Sequence, residues 1–413
     1  MEKQVLNDMI TWQFPWGYRK SLAIAIGLCL LGTLLEVLVD TPPPLIGFPF
    51  NLLIVIAFLT LAITAYRLKK HHPLVQWLTN LPAALSAISY FGVMTLIIGL
   101  VPQSSNLHAH SLLGFTHLWR SWQFFFAWLY LLTILTFVIL KRAVPLSYRN
   151  IRFLVSHLGF WLIILAMALG AGDKHKLNLV LHQGKPESSG IDLNGMRQDL
   201  PFTLKLSEFW IEEYAPELLL MDITTGAPFK DRSKGEVFIT AGLKLKLGGY
   251  VIFIRDFYPQ AIPTESGFMP STDYGNVPAA YIEALDSTGY KISGWITCGN
   301  FRFPAVLLKL DQRFVLIMNR PAPKQFASRI TILTRDRPVI EAILTVNHPI
   351  KIKHWRLYQG GYDTTKGKWS QYSLIQAVKD PWLPVVYIGL VMVLAGVIML
   401  VVSPKTNLTN FSK

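Results

Sequence analysis

The run over residues 151–171, IRFLVSHLGFWLIILAMALGA, is apolar across the roughly 20 residues a helix needs to cross a bilayer, yet it carries one imidazole, His157. Arg149 and Arg152 stand at one end and Asp173 at the other, after which the chain leaves the membrane for a long stretch before its last apolar run. At about 100° per residue, Phe153, His157, Trp161, Ile164 and Ala168 share one stripe, and Gly159, Ala166 and Gly170 fall opposite. One face offers a ligand beside an aromatic; the other admits a neighbouring helix closely.

Five further runs read as spans: residues 22–39, 50–66, 81–101, a fourth ending near Leu140, and 383–402. With 52% apolar and only 15% charged residues, the chain is too apolar for an ordinary soluble protein. The first span is longer than a typical secretory h-region, lacks a clear small-residue cleavage site and is followed by a second, so it reads as half of a retained hairpin. Glu36 near its outer end reads as snorkelling into the interface or as a functional partner.

The net charge of +14 would suggest nucleic acid in a soluble chain. Here Lys3, Arg19, Lys20, Arg67, Lys69, Lys70, Lys141, Arg142, Arg149, Arg152, Lys405 and Lys413 all lie in the tails or in two short loops. The other two short loops hold only Arg120 as a cation. That asymmetry is the positive-inside pattern: both termini cytoplasmic, the large domain outside, a lipid bilayer as partner and no nucleic acid.

Among the histidines outside the spans, His71 and His72 sit in a basic turn. His108, His110 and His117 lie in an outer loop where H-x-H lacks further ligands at metal spacing, and His182, His348 and His354 are isolated among polar or turn residues. The text LWRSWQFFFAWLY at residues 118–130 reads as an aromatic belt at the mouth of the fourth span, or as a wall for a flat apolar ligand. Residues 173–380 read as β, with PFTLKLSEFWI, LKLKLGGYVIFIRDFY, AAYIEALD, RFVLIMN, SRITILT, AILTVN and WRLYQGGYD separated by turn signals and no long amphipathic helix. The expected fold is therefore a polytopic α-helical membrane protein with six spans and a large extracytoplasmic all-β, sandwich- or barrel-like domain between spans five and six. Gly389 and Gly396, one heptad apart, predict a packing seam on the sixth span.

The two cysteines, Cys29 and Cys298, form no C-x-x-C, so the chain is not itself a thiol oxidoreductase. P-loop, G-x-S-x-G, H-E-x-x-H and dinucleotide patterns are absent. What remains is an imidazole at membrane depth, which is costly there. It either hydrogen-bonds a neighbouring helix near the interface or acts as a ligand; a neutral imidazole is a haem axial ligand, and Trp161 one turn away is suited to pack against a porphyrin. No other apolar span contains a histidine, so a second axial ligand would come from another chain.

The order of parts resembles the ResB (CcsB) family of cytochrome c biogenesis proteins, from about residue 73 to the C-terminus. The resemblance rests on the span over residues 83–102 followed by LGFTHLWRSWQFFFAWLYLL, on RNIRFLVSHLGFWLIILA, on the long β-rich domain and on VNHPIKIKHWRLYQGGYD before the final span. It implies a haem-handling membrane subunit of a cytochrome c synthetase complex in the bacterial cytoplasmic (inner) membrane, with the large domain periplasmic. Such a subunit carries or presents haem b, with a ResC- or CcsA-like partner, for covalent attachment to apocytochrome c. It places the family's intramembrane haem ligand on His157, in the matching S-H-L-G context, as the metal ligand of the site, beside Trp161. The alternative is a membrane anchor and assembly scaffold whose β domain docks the apocytochrome or the partner without binding haem; an electron-transfer subunit is disfavoured by the lone intramembrane histidine. The expected division is residues 1–72, an N-terminal hairpin beyond the usual plan; 73–172, a three-span region; 173–381, the β domain; and 382–413, the last helix and tail. The tryptophan-rich haem-handling motif and paired outside histidines of the partner family are missing, which implies a non-catalytic or co-catalytic subunit with no catalytic residue of its own.

Overall fold

The computed structural model describes residues 14–39, 41–103, 113–229 and 236–402. His108 and His110, and the tail cations Lys3, Lys405 and Lys413, lie outside the described residues. The chain divides into two compact units, Met1–His175 with Asp380–Lys413, and Lys176–Lys379.

The first unit is helical: α1 (Tyr18–Leu38), α2 (Phe50–Lys69), the short α3 (Pro73–Leu78), α4 (Leu81–Leu100), α5 (Trp122–Ala143), α6 (Tyr148–Asp173) and α7 (Leu383–Val401). Six of these are long and apolar enough to cross a membrane. Their ends follow local chemistry. Ser121 and Ser147 accept N–H bonds from Phe124 and Asn150 and so cap α5 and α6. Prolines open α3, α4 and α7, where a missing N–H costs nothing. Basic residues close α2 (Arg67, Lys69) and α5 (Lys141, Arg142), which suits the negative end of the helix dipole.

At the helix ends the structure departs from the sequence reading in two places. The basic turn after α2 leads directly into α3, whose N–H of Leu74 bonds to His72 Nδ1. The aromatic run before the fourth span begins as a 3-10 turn, Phe115–Arg120, so that Trp119 precedes α5 and only Trp122 and Trp128 lie on it.

Between these helices, side-chain hydrogen bonds run through an otherwise apolar core of Ala83, Ala87, Leu118, Leu131, Ile134 and Leu165. Trp77 Nε1 donates to Ser21 Oγ at 2.9 Å, Ser86 and Tyr130 share a hydroxyl bond at 2.9 Å, and Tyr90 donates to the Gln123 carbonyl at 2.9 Å. Such bonds between membrane helices are worth about 1 kcal/mol each.

The predicted seam on α7 packs against α6. A Cβ added at Gly389 would lie 2.7 Å from the Gly159 carbonyl oxygen, and one at Gly396 would lie 2.6 Å from the Ser156 backbone nitrogen. Only glycine permits that approach.

The second unit is antiparallel β. An eight-stranded sheet runs β14 (Arg337–Thr345), β13 (Pro323–Thr334), β3 (Arg197–Glu213), β2 (Pro186–Ile191), β1 (His175–His182), β17 (Tyr372–Lys379), β16 (Trp355–Tyr362) and β15 (Ile350–Ile352). It curls around its own core of Leu177, Leu179, Leu204, Leu206, Ile330, Leu344, Leu357 and Ile375.

A second core joins two smaller sheets. One holds β6 (Lys244–Leu247), β7 (Tyr250–Thr264), β8 (Gly267–Pro270), β9 (Val277–Leu285) and β10 (Lys291–Thr297); the other holds β4 (Leu218–Asp222), β5 (Ala227–Pro228), β11 (Leu308–Lys309) and β12 (Phe314–Met318). Leu220, Ile252, Ile254, Ile282, Ile296 and Leu316 fill the space between them, a sandwich beside a curled sheet. Among the described residues this unit has one helical turn, Gly367–Trp369.

Candidate functional site

Helix α6 carries His157 half-buried on its first three turns. The ring stacks on Phe153 one turn earlier, centroids 3.6 Å apart and planes 20° from parallel. Its Nδ1 lies 2.9 Å from the Phe153 carbonyl oxygen and 3.2 Å from Ser156 Oγ. A carbonyl only accepts, so Nδ1 carries the hydrogen and Nε2 keeps its lone pair. Among the described residues none hydrogen-bonds Nε2. The bonds of His157 therefore stay within its own helix, unlike the reading in which it ties α6 to a neighbour.

The short connection between α5 and α6 brings Arg142 back over this region, its guanidinium carbon 5.3 Å from the Phe153 centroid. In the sequence Arg142 stands out only as one of the cations that predict a cytoplasmic loop. Its closeness to Phe153 follows from the few residues that separate two antiparallel helices.

Trp161 lies in the helical core at 8% exposure, with Nε1 donating to Thr136 Oγ1 of α5 at 2.8 Å. Trp128 of α5 donates in turn to the Ile164 carbonyl at 3.0 Å. These two indoles cross-link α5 and α6 beyond His157.

At the far end of α6, Asp173 collects three donors: Phe48 N–H at 2.6 Å, Asn51 Nδ2 at 2.8 Å and Trp382 Nε1 at 2.6 Å. It thereby joins α2, α6 and the start of α7. A second carboxylate, Glu36 on α1, accepts from His117 Nε2 at 3.2 Å and from Trp122 N–H at 3.0 Å. Gly114, at φ +69°, passes so close that a Cβ there would lie 2.8 Å from Glu36 Oε1. Glu36 thus has a structural contact: it pairs with His117 and caps α5. His182 and His348 sit on the surface of the β unit, and His354 in an exposed turn. Among the described residues no three His, Cys, Asp or Glu side chains gather as a metal set.

The donor set at His157 fits a haem iron: a half-buried imidazole whose Nδ1–H is held by a carbonyl, with Nε2 as the nitrogen that would ligate. The neighbouring guanidinium of Arg142 suits a carboxylate such as a propionate.

These features define a class, a multi-pass membrane protein of six apolar helices with a large antiparallel β domain. The model of the ResB-like family matches residues 304–371, which include the VNHPIKIKHWRLYQGGYD segment. The chain thus carries a ResB-like segment, and the resemblance read from the sequence is shown there. Among solved structures it is similar to cytochrome c heme lyase CcmF at 12% identity and a TM-score of 0.22, covering 94% of this chain and 46% of that one. The chain spans less than half the length of that lyase, 46%. No curated protein matches.

Proposed function

We propose that this chain is a haem-handling membrane subunit of a complex that attaches haem to apocytochrome c, with His157 as an axial ligand to haem that passes through as cargo. The observation that carries the reading is the state of the imidazole: Nδ1–H is fixed by the Phe153 carbonyl at 2.9 Å, which orients the ring and leaves the Nε2 lone pair available. Haem supplies a Lewis-acidic iron that such a nitrogen binds. The indole of Trp161, held by Thr136, keeps the helix pair that presents His157 in register. No other apolar span offers a histidine, so the second ligand is either absent or comes from a ResC- or CcsA-like partner.

The basic ends of α2 and α5 orient the bundle, with Arg67, Lys69, Lys141 and Arg142 cytoplasmic and the β domain extracytoplasmic. In that orientation His157 lies sixteen residues, about 24 Å of helix rise, before Asp173, in the cytoplasmic third of the bilayer. That depth suits capture of haem made inside the cell. The family match to residues 304–371 supports a cytochrome c biogenesis role for the β domain.

The test is a His157→Gly variant expressed with and without external imidazole, read as covalent haem on a c-type cytochrome. Loss of assembly, with recovery and altered haem absorption on adding imidazole, is expected. Wild-type assembly by the variant without imidazole removes His157 from the mechanism and favours a scaffold that only docks the partner or the apocytochrome.

A further inference from the structure

The segment KIKHWR, residues 351–356, forms the β15–β16 hairpin at one edge of the eight-stranded sheet. Strand alternation sends Ile352, Trp355 and Leu357 into the core and leaves Lys351 and Arg356 on the outward face. These two cations are direct cross-strand partners, their backbones about 5 Å apart. Like charges opposite each other weaken a hairpin. Neither has an acidic partner among the described residues. Lys353, at the turn, does: its Nζ lies 2.7 Å from Asp336 Oδ2.

The same row continues across the sheet. Arg356 stands opposite Val378 of β17, and β17 neighbours β1. There Gln183 N–H donates to the Gln371 carbonyl at 2.9 Å and Gln376 Nε2 to Asn178 Oδ1 at 3.1 Å, a register that sets Lys176 beside Val378. Leu177 points into the core, so Lys176 points out, and it too lacks an acidic partner among the described residues. Three unpaired cations therefore share one outward row about 15 Å across.

Chain length ties this row to the bilayer. Lys176 follows Asp173, the last residue of α6, by three residues, and Val378 precedes Leu383, the first of α7, by five. At a maximum of about 3.6 Å per residue, the tethers allow no more than about 11 Å and 18 Å.

We propose that Lys351, Arg356 and Lys176 form a binding site for the phosphate headgroups of anionic phospholipid in the leaflet beside the β domain. A phosphate between Lys351 and Arg356 turns their mutual repulsion into two charge-assisted contacts, Arg356 offering a bidentate fork. This resolves the conflict that the hairpin carries when read alone. The proposal depends only on the helices crossing a bilayer, not on the haem reading.

The experiment is amide hydrogen exchange over residues 350–357 in the full chain, in nanodiscs of phosphatidylcholine or of a four-to-one mixture with phosphatidylglycerol. Each cation near an anionic surface strengthens attraction about fivefold, so Lys351→Thr with Arg356→Thr weakens it about 25-fold. Slower exchange in the phosphatidylglycerol discs, abolished in that double variant and by high salt, is expected. Lys176→Gln, which leaves the hairpin intact, is expected to weaken the effect about fivefold, so a misfolded double variant does not end the test. Equal exchange in both discs overturns the proposal, as does slowing by inorganic phosphate in phosphatidylcholine discs, which marks a free-anion site. Protection by an added partner protein with no lipid dependence overturns it in favour of an acidic protein surface.

Discussion

Replacing Gly159 by alanine tests the α6–α7 seam against a built-in control. The added Cβ meets the Gly389 carbonyl oxygen at 2.6 Å, Met392 Cβ at 2.8 Å and the Val393 nitrogen at 2.8 Å. Two of those three atoms are backbone and yield only if the helices part. Gly92, in the middle of α4, has nothing within 4 Å of the same built atom. Both substitutions gain about 1 kcal/mol of helix propensity, which cancels in the comparison. What is left is overpacking at Gly159, about 1–3 kcal/mol. Thermal unfolding of the full chain in detergent should therefore leave Gly92→Ala at or above wild type and place Gly159→Ala about 1–3 kcal/mol below Gly92→Ala. Equal stability of the two variants would refute the close seam and the helix arrangement built on it.

Acid should weaken the β domain through Asp222 and Asp311. The Arg313 guanidinium and the Thr224 N–H hold Asp222 below the ordinary carboxylate range, and the Tyr250 hydroxyl and the Phe314 and Arg313 N–H groups do the same for Asp311. Folded values below unfolded ones mean a contribution complete above the unfolded value of about 3.9 and lost as pH falls through the folded values. Arg313→Gln should shift acid unfolding, followed by tryptophan fluorescence, to higher pH, and an unmoved midpoint contradicts the pairing. Burial pushes the Cys298 thiol up to about 11, so iodoacetamide at pH 8 should label it slowly in the native chain and quickly after unfolding. Reporter fusions at Lys70 and near Ser147 should read cytoplasmic, and fusions near Pro43 and Gly289 external; an external signal at Ser147 reverses the helix that carries His157.

The spans were legible because each is an unbroken apolar run with charge or proline at its ends, and the strands because period-two runs alternate with turn residues. One run was two strands: LKLKLGGYVIFIRDFY is broken by Gly248–Gly249, both at positive φ, which close the β6–β7 hairpin. Sheet order was not legible: β1 lies beside β17 and β3 beside β13, strands from opposite ends of the domain whose faces carry the same alternation. Helix α3 was also hidden, since six residues are too few to show a helical period. The glycines at 389 and 396 marked a seam but not its partner, which the structure gives as Gly159 and Ser156. Likewise Glu36 and His117 were visible singly, and only folding joins residues so distant in the chain into a pair that caps α5. At His157 the sequence supplied the residue and its place within an apolar run; the Nδ1–H bond to Phe153 and the approach of Arg142 depend on rotamer and helix packing, which composition does not encode.

The most direct measurement of the central claim is the amount of b-type haem per chain in the complex purified with its partner, for wild type and for His157→Ala, by absorption of the reduced iron. An imidazole ligand from α6 predicts haem in the wild-type complex and a large loss in the variant at equal amounts of both subunits. Unchanged haem content and an unchanged spectrum in His157→Ala would contradict it.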